Sequence, residues 1–578
     1  MSGPVFKKNS AIKAAMYENF PNELMLYDVL VNKCGTLFVL LFLMAFVNVF
    51  SNEIQIKVNN HYLNIPIGRD ARMKLLTVRI DGKVDREIPV QLAEDAVDYW
   101  IYIDISEYKG KSIGLHCKAT DNWLSRIYQA DQIENHEILY NETKRPQYHF
   151  SVKRGWSNDI NGPIYHNNVY HLFYQNFPFG VSWNTGFMYW GHATSEDLVN
   201  WKEQPPAMRL DSLGSPWSGS AVIDKRNDAG FGKDAMVLFY TAFDRLSRKQ
   251  VQCIAYSNDN GNSFQRYEGN PIIDSNREWQ SVDTRDPKVF WHEPSKHWIM
   301  VLFEKDGMSF YNSTDMKDWK RQSHFEGLHE CPDFFELPVD GDTNNKKWIL
   351  HGGSSDYFIG SFDGKKFISE SDRLSYAEGR GGMDLYAALT FENMPDNRKV
   401  QMAWGRDWNV DNNMPFSQMA LFPTEFKLRT TEKGPRLMAE PIEEIKLLYK
   451  STVKGFDMTT GQANELIKNI PSGPLHLKAG FTLEKGSEFR LRYNGNILIN
   501  LERAEFSRGQ NHIEILIDKT VSEIFINGGE RYIVIKLPED MDSSGLSFES
   551  EKYGPIFNEL EVHEINSIWN NGITRLKK

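Results

Sequence analysis

SEDLVNW (Ser195–Trp201), SNDNGNSF (Ser257–Phe264), STDMKDW (Ser313–Trp319) and SFDGKKF (Ser361–Phe367) repeat one pattern. Each opens on Ser, reaches an Asp two residues on, and places an aromatic ring four or five residues beyond it. The repeated aspartates are Asp197, Asp259, Asp315 and Asp363, at a period of about 50–60 residues. They lie in turn sequences and read as residues that stabilise each repeat. Apolar runs recur in step: NVYHLFYQ (168–175), AMVLFYTAF (235–243), HWIMVLFEK (297–305), KWILHGG (347–353) and KVQMAWG (399–405). A four-stranded sheet cannot bury both faces alone, so repeats of this kind stack around an axis. Five strand cores at this period predict a five-bladed β-propeller over 145–430. A β-helix has much shorter repeats.

Both flanks also alternate apolar and polar residues, with turn residues between the runs. EIQIKVNN, RMKLLTVRIDG, DYWIYIDIS and KSIGLHC predict a small β-sandwich-like accessory domain over 52–140. HLKAGFTL, HIEILID, VSEIFING and RYIVIKL predict a second β-sandwich over 440–578, with YNGN and ING as hairpin signals. EPIEEIKLLYK (Glu440–Lys450) reads as a helical linker. The fold class expected is all-β throughout.

A net charge of −11 with no cluster of Lys and Arg excludes a nucleic-acid partner. Cys34, Cys117, Cys253 and Cys331 lie far apart, without metal-ligand spacing or a disulfide framework. Neither a metal nor a cofactor is expected. His166 and His171 flank a strand and need not bind metal, and His192 reads as a structural hydrogen-bonding residue. The apolar run Leu37–Val47 is too short to span a bilayer comfortably. With Lys33 before it and Val49-Phe50-Ser51 after it, it reads as a signal-peptide core within residues 1–51, with Met25 as an alternative start. An uncleaved anchor is the other reading. The chain is therefore expected to be exported, periplasmic or extracellular, without a stable membrane span.

Three acidic stretches stand at the edges of strand-like runs. They are WSNDING (Trp156–Gly162), RDP (Arg285–Pro287) and EC (Glu330–Cys331). Separated along the chain, Asp159, Asp286 and Glu330 meet only if the fold gathers them, and inner strands of a propeller converge on one funnel. Two carboxylates in one pocket are the equipment for cleaving a glycosidic bond, one as nucleophile and one as acid. Taken singly, Asp286 also fits a turn residue, Glu330 a solvated loop residue, and Cys331 a packing thiol.

WSNDING, WGH (Trp190–His192), WSGS (Trp217–Ser220), RDP and EC occur in the order found in glycoside hydrolase family 32, the β-fructofuranosidases, inulinases and levanases. DKTVSEIFINGG (Asp518–Gly529) is similar to that family's C-terminal signature. The resemblance runs from His149 onward. It implies Asp159 as nucleophile, Glu330 as general acid and base, and Asp286 as a residue that holds the fructosyl ring. It implies Asn158, Gln175, Trp183, Trp217, Ser218, Arg285 and, more loosely, Trp404 as lining the sugar pocket. Fructan polysaccharide, fructo-oligosaccharide or sucrose is the partner implied, exo-release of fructose the expected mode, and endo-action the alternative. An arabinan-type hydrolase and a non-catalytic sugar-binding propeller are more distant readings. The sequence departs from the family pattern at Ile160, where Pro is usual, and at Trp217, where Phe is usual. Neighbouring carboxylates are expected to keep the proton on Glu330.

Overall fold

The computed structural model describes residues 53–117, 122–408, 413–483, 488–502, 510–539, 543–550 and 554–570. Leu37–Val47 and Met25 lie outside the described residues. Among those residues the protein is all-β, with two short α-helices, Ser275–Trp279 and Thr460–Ile467.

The middle of the chain forms successive antiparallel sheets. The first contains Gly155–His166, Val169–Phe177, Tyr189–Ser195 and Lys202–Met208, with Phe416–Ser417 added in parallel beside Gly155–His166. The second contains Ser215–Asp224, Ala235–Phe243, Gln250–Ser257 and Gln265–Arg266. The third contains Thr284–His292, His297–Glu304, Gly307–Ser313 and Lys320–Glu326. Asp333–Val339, Asp342–His351, Asp356–Phe362 and Phe367–Ser369 follow in the same order, and Met383–Thr390 pairs with Val400–Asp407. The five apolar runs of the sequence each fall on the second strand of such a set. Four of these strands are buried on both faces along nearly their whole length, and every residue of Ala235–Phe243 is buried, whereas Asp342–His351 is buried only at its end, Ile349–His351.

That double burial comes from sheets stacking in chain order. Leu238 and Tyr240 pack with Phe173 and Trp190 of the preceding sheet. Val237 and Phe239, pointing the other way on the same strand, pack with Val289 and Met300 of the next. A further core joins Ile160 and Leu172 to Ile349 and Met402, linking the earliest strands of this region to its latest.

The repeated aspartates close the turn between third and fourth strands. Asp197 Oδ1 accepts from the Asn200 amide (2.8 Å) and the Ser195 hydroxyl (3.0 Å). Asp315 repeats this with Lys317, Asp318 and Ser313. Carboxylates that take the free N–H groups of a turn fix its geometry.

Glu53–Lys57, Ser112–His116, Lys74–Ile80 and Lys83–Val90 form one N-terminal sheet, and Tyr99–Asp104, Tyr62–Ile67 and Tyr128–Ala130 a second. Their core is not closed on itself: it runs on into Trp156, Phe177, Phe187 and Trp404. Residues 440–450 hold a 3-10 helix, Glu443–Leu448, rather than a longer helical linker. It buries Ile445 and Leu448 between the strands Gly434–Pro441 and Tyr449–Met458. Beyond it, two sheets share a core around Leu477, Phe489, Ile515 and Phe557. The helix Thr460–Ile467 starts with a capping box between Thr459 and Gln462.

The motif Asp518–Gly529 ties this C-terminal region to the start of the central sheets. Asp518 accepts from the amides of Gln147 (2.8 Å), Tyr148 (3.0 Å) and His149 (3.3 Å). The His149 ring lies between Asp518 Oδ2 (2.8 Å) and Glu523 Oε1 (2.6 Å), all three side chains fully buried. Burial disfavours the imidazolium, but the two carboxylates outweigh it and hold His149 up at about 9.

Candidate active site

Four first strands carry an irregularity at the same place. Register shifts fall between Ser157 and Ile160, Trp217 and Gly219, Arg285 and Lys288, and Tyr386 and Leu389. A bulge inserts a residue, bends the strand and re-aims a side chain. Here the re-aimed residues include Asp159, Ser218 and Asp286. Asp286 adopts a left-handed backbone (φ 63°), as do Glu330 (36°) and Cys331 (45°) in the link before Asp333–Val339. Such conformations cost energy in non-glycine residues and cluster at functional sites.

The motif glycines follow from packing. A Cβ on Gly162 would lie 2.8 Å from Ala221 N, where the first strands of adjacent sheets meet. One on Gly219 would lie 1.9 Å from Phe239 O.

The three carboxylates converge. Asp159 is held at both oxygens: Asn158 Nδ2 donates to Oδ1 (2.9 Å) and Ser218 Oγ to Oδ2 (2.7 Å). The Trp156 indole N–H donates to Asn158 Oδ1 (2.9 Å), which fixes that amide with its NH2 toward Asp159. The Cys331 thiol stands between the aspartates, 3.7 Å from Asp159 Oδ2 and 3.5 Å from Asp286 Oδ2, while its backbone N–H donates to Asp286 Oδ2 (2.9 Å). Arg285 pairs with Glu330 through Nη2 (2.7 Å) and Nε (3.1 Å), and its Nε is 3.8 Å from Asp286. The Tyr386 hydroxyl donates to Glu330 Oε1.

Behind the carboxylates, buried Lys288 pairs with Asp333 (2.9 Å) and Glu392 (2.7 Å). It ties the Asp286 strand to the strand that follows Glu330.

Burial pushes Asp286 up to about 7, with Glu330 and Asp159 adding to the rise and Arg285 opposing it. Burial also raises Asp159, against the hydrogen bonds from Ser218 and Asn158. Glu330 goes the other way. Burial favours its proton but is outweighed by His329 (Nδ1 3.5 Å from Oε1), Arg285 and Tyr386, which hold it well below the usual carboxylate range. The expectation that neighbouring carboxylates keep Glu330 protonated therefore fails in this geometry: His329, Arg285 and Tyr386 favour its charged form and together outweigh burial.

A cluster of one hydrogen-bonded carboxylate, a second carboxylate on a separate link and a third beside an arginine can support displacement at a sugar carbon. The comparisons with known proteins agree with that chemistry. The family description "Glycosyl hydrolases family 32 N-terminal domain" matches residues 149–441. The chain belongs to glycosyl hydrolase family 32. A levanase of Bacillus subtilis (strain 168) is 34% identical over 507 residues, covering 77% of this chain and 74% of the relative. An extracellular exo-inulinase of Aspergillus ficuum is 30% identical, covering 75% of this chain and 97% of the relative. The crystal structure of exo-inulinase from Aspergillus awamori superposes with a TM-score of 0.62 at 26% identity, over 74% of this chain and all of that one.

Not every pocket residue named from the family 32 resemblance touches the carboxylates. Asn158, Ser218 and Arg285 do. Buried Gln175 instead donates to Pro216 O (3.1 Å), beside Trp217. Trp217 stacks on Phe243 (4.0 Å) and donates to Thr185 O (2.8 Å), holding the loop that carries Trp183. Trp183 itself is 55% exposed on that loop. Trp404 is buried, donates to Gln418 Oε1 (2.8 Å), and meets Trp156 and Tyr386 edge to face. At Ile160 the family 32 chain buries an apolar side chain in the core that links the earliest central strands to the later ones.

The sequence reading missed Tyr386 and read Cys331 as packing alone. Tyr386 sits in an ordinary alternating strand run with no local signal. Arg406 lies 3.6 Å over its ring and is held by Asp384 (2.8 and 2.9 Å). His192 pairs with His171 (3.0 Å), both buried, in the structural role expected.

Proposed function

We propose that this family 32 chain is a retaining glycosidase that cleaves β-fructofuranosidic bonds in fructans, releasing fructose from chain ends. The observation that carries the reading is the convergence of Asp159, Asp286 and Glu330 about Cys331 and Arg285. Supporting it, the relatives' names include levanase and exo-inulinase. Asp159, oriented at both oxygens, attacks the anomeric carbon of the fructosyl unit. Glu330 protonates the leaving oxygen and then activates water. Asp286 takes sugar hydroxyls.

Burial favours the proton on Glu330, but His329, Arg285 and Tyr386 together favour its charged form, so the acid step requires a trade. Sugar entering beside Arg285 and His329 loosens their hold on Glu330, and burial by the bound substrate then favours its proton. We read the central sheets as five blades of a propeller around this funnel, and the C-terminal pair as a sandwich. We also read the chain as exported, supported by the apolar run Leu37–Val47 and by relatives named extracellular; among the described residues no helix is long and apolar enough to cross a membrane.

The test is chromatography of the products formed from inulin and from levan. Fructose alone supports exo-action. A ladder of oligosaccharides means endo-action, and no release from either polymer overturns the reading.

A further inference from the structure

The N-terminal sheets belong to the candidate site. Their core continues into Trp156 and Trp404, and each of these leads to a carboxylate. Trp156 orients Asn158, which orients Asp159. Trp404 packs edge to face on Tyr386 (6.2 Å), which donates to Glu330. The same core takes in Phe179, Phe187 and Tyr189, which bracket the loop bearing Trp183.

One polar contact from the N-terminal sheets lands on the segment that organises both routes. Arg69 Nη2 donates to Met414 O (2.8 Å), its guanidinium lying 4.8 Å over the Tyr99 ring. The next residue, Pro415, accepts from Gly155 N (2.9 Å). Phe416 and Ser417 then pair with Gly155 and Trp156. Gln418 Oε1 accepts from Trp404 Nε1 (2.8 Å) and Asp407 N (2.9 Å). Residues 414–418 thus hold the start of the Asp159 strand on one side and Trp404 on the other, and Arg69 anchors that segment from outside the central sheets.

We propose that Arg69 is a positioning residue for the glycosidase site, acting through residues 414–418 on Asp159 and Glu330. The inference rests on the function proposed above for its kinetic consequence and on geometry alone for its structural one. A shift of about 1 Å in a reacting group costs on the order of a hundredfold in rate, so a modest loosening costs turnover before it costs folding. Binding of the sugar ring uses many groups and suffers less.

The test compares Arg69→Ala, Arg69→Lys and the unaltered chain by steady-state kinetics on a small fructoside, by thermal melting and by hydrogen exchange. Arg69→Ala is expected to lower kcat about tenfold with KM within about twofold, and Arg69→Lys, which keeps a cationic donor, to recover part of the loss. Exchange should quicken in peptides covering 154–160, where the hydrogen bond from the Gly155 N–H to Pro415 O weakens, and stay unchanged at His297–Glu304. Wild-type kcat and exchange in Arg69→Ala would overturn the proposal. So would equal losses in both variants that track a fallen melting temperature, since that is a purely structural role. If the unaltered chain releases no sugar, the fructan reading fails, while the exchange comparison still decides whether Arg69 positions the segment.

Discussion

Replacing Asp518 by Asn tests the clamp that joins the C-terminal region to the central sheets. The buried carboxylate accepts the backbone amides of Gln147, Tyr148, His149 and Lys519 and pairs with one imidazole nitrogen of His149. An amide at this position presents an NH2 to groups that already donate, and leaves the charged His149 with Glu523 alone. Breaking a buried charge pair from one side costs about 3–5 kcal/mol. For a cooperative unit of about 150–250 residues each kcal/mol is worth roughly 2–4 °C, so melting should fall by roughly 6–20 °C. The pH dependence is the sharper signature. A rise of His149 from 6.5 to about 9 on folding corresponds to roughly 3 kcal/mol of preference for the charged form. The folded state binds this proton more tightly than the unfolded state. The contribution is therefore whole below pH 6.5 and disappears as pH climbs through about 9. Melting followed by circular dichroism from about pH 6 to about pH 10 should show the unaltered chain losing stability across that window, and Asp518→Asn losing much less. Parallel curves for the two proteins, or a melting point for Asp518→Asn within about 2 °C of the parent, would refute the clamp.

Asp159→Ala should lower turnover by several orders of magnitude, roughly 4–7 kcal/mol, with melting nearly unchanged; more than about a tenth of the activity remaining removes it as nucleophile. Glu330→Gln should slow natural fructans severely but spare a substrate with a good leaving group at its first step, and equal losses on both would take the acid role away. Tyr386→Phe deletes a donor that favours ionised Glu330, so proton affinity rises and the alkaline limb of the pH–rate profile moves to higher pH; an unmoved limb means the phenol does not tune the acid. N-terminal sequencing of the protein from its host should find a start near Asn52, and a start well upstream of Leu37 contradicts export.

The strand order of this protein was legible in its residues because burial is a local demand. A strand buried on both faces, such as Ala235–Phe243, must be a continuous apolar run, and the Ser-x-Asp turns that follow the third strands must supply their own acceptors. The identity of three acidic stretches was legible too, since each breaks an apolar run with charge. How those stretches meet was not. Asp159, Asp286 and Glu330 are set against one another by bulges and left-handed residues whose cost is offset by distant partners, among them Lys288 with Asp333 and Glu392. Tyr386 and the double contact of Cys331 had no local signature, because a strand tyrosine and a buried thiol look the same whether or not a carboxylate lies beside them. The protonation of Glu330 was read the wrong way for the same reason: a pKa depends on which groups the fold sets beside it, and only the tertiary structure places Arg285 2.7 Å from Glu330. The N-terminal strands announced a β-rich module from their alternation. That its core runs on into Trp156 and Trp404 was decided by packing between residues far apart in the chain, which no periodicity encodes.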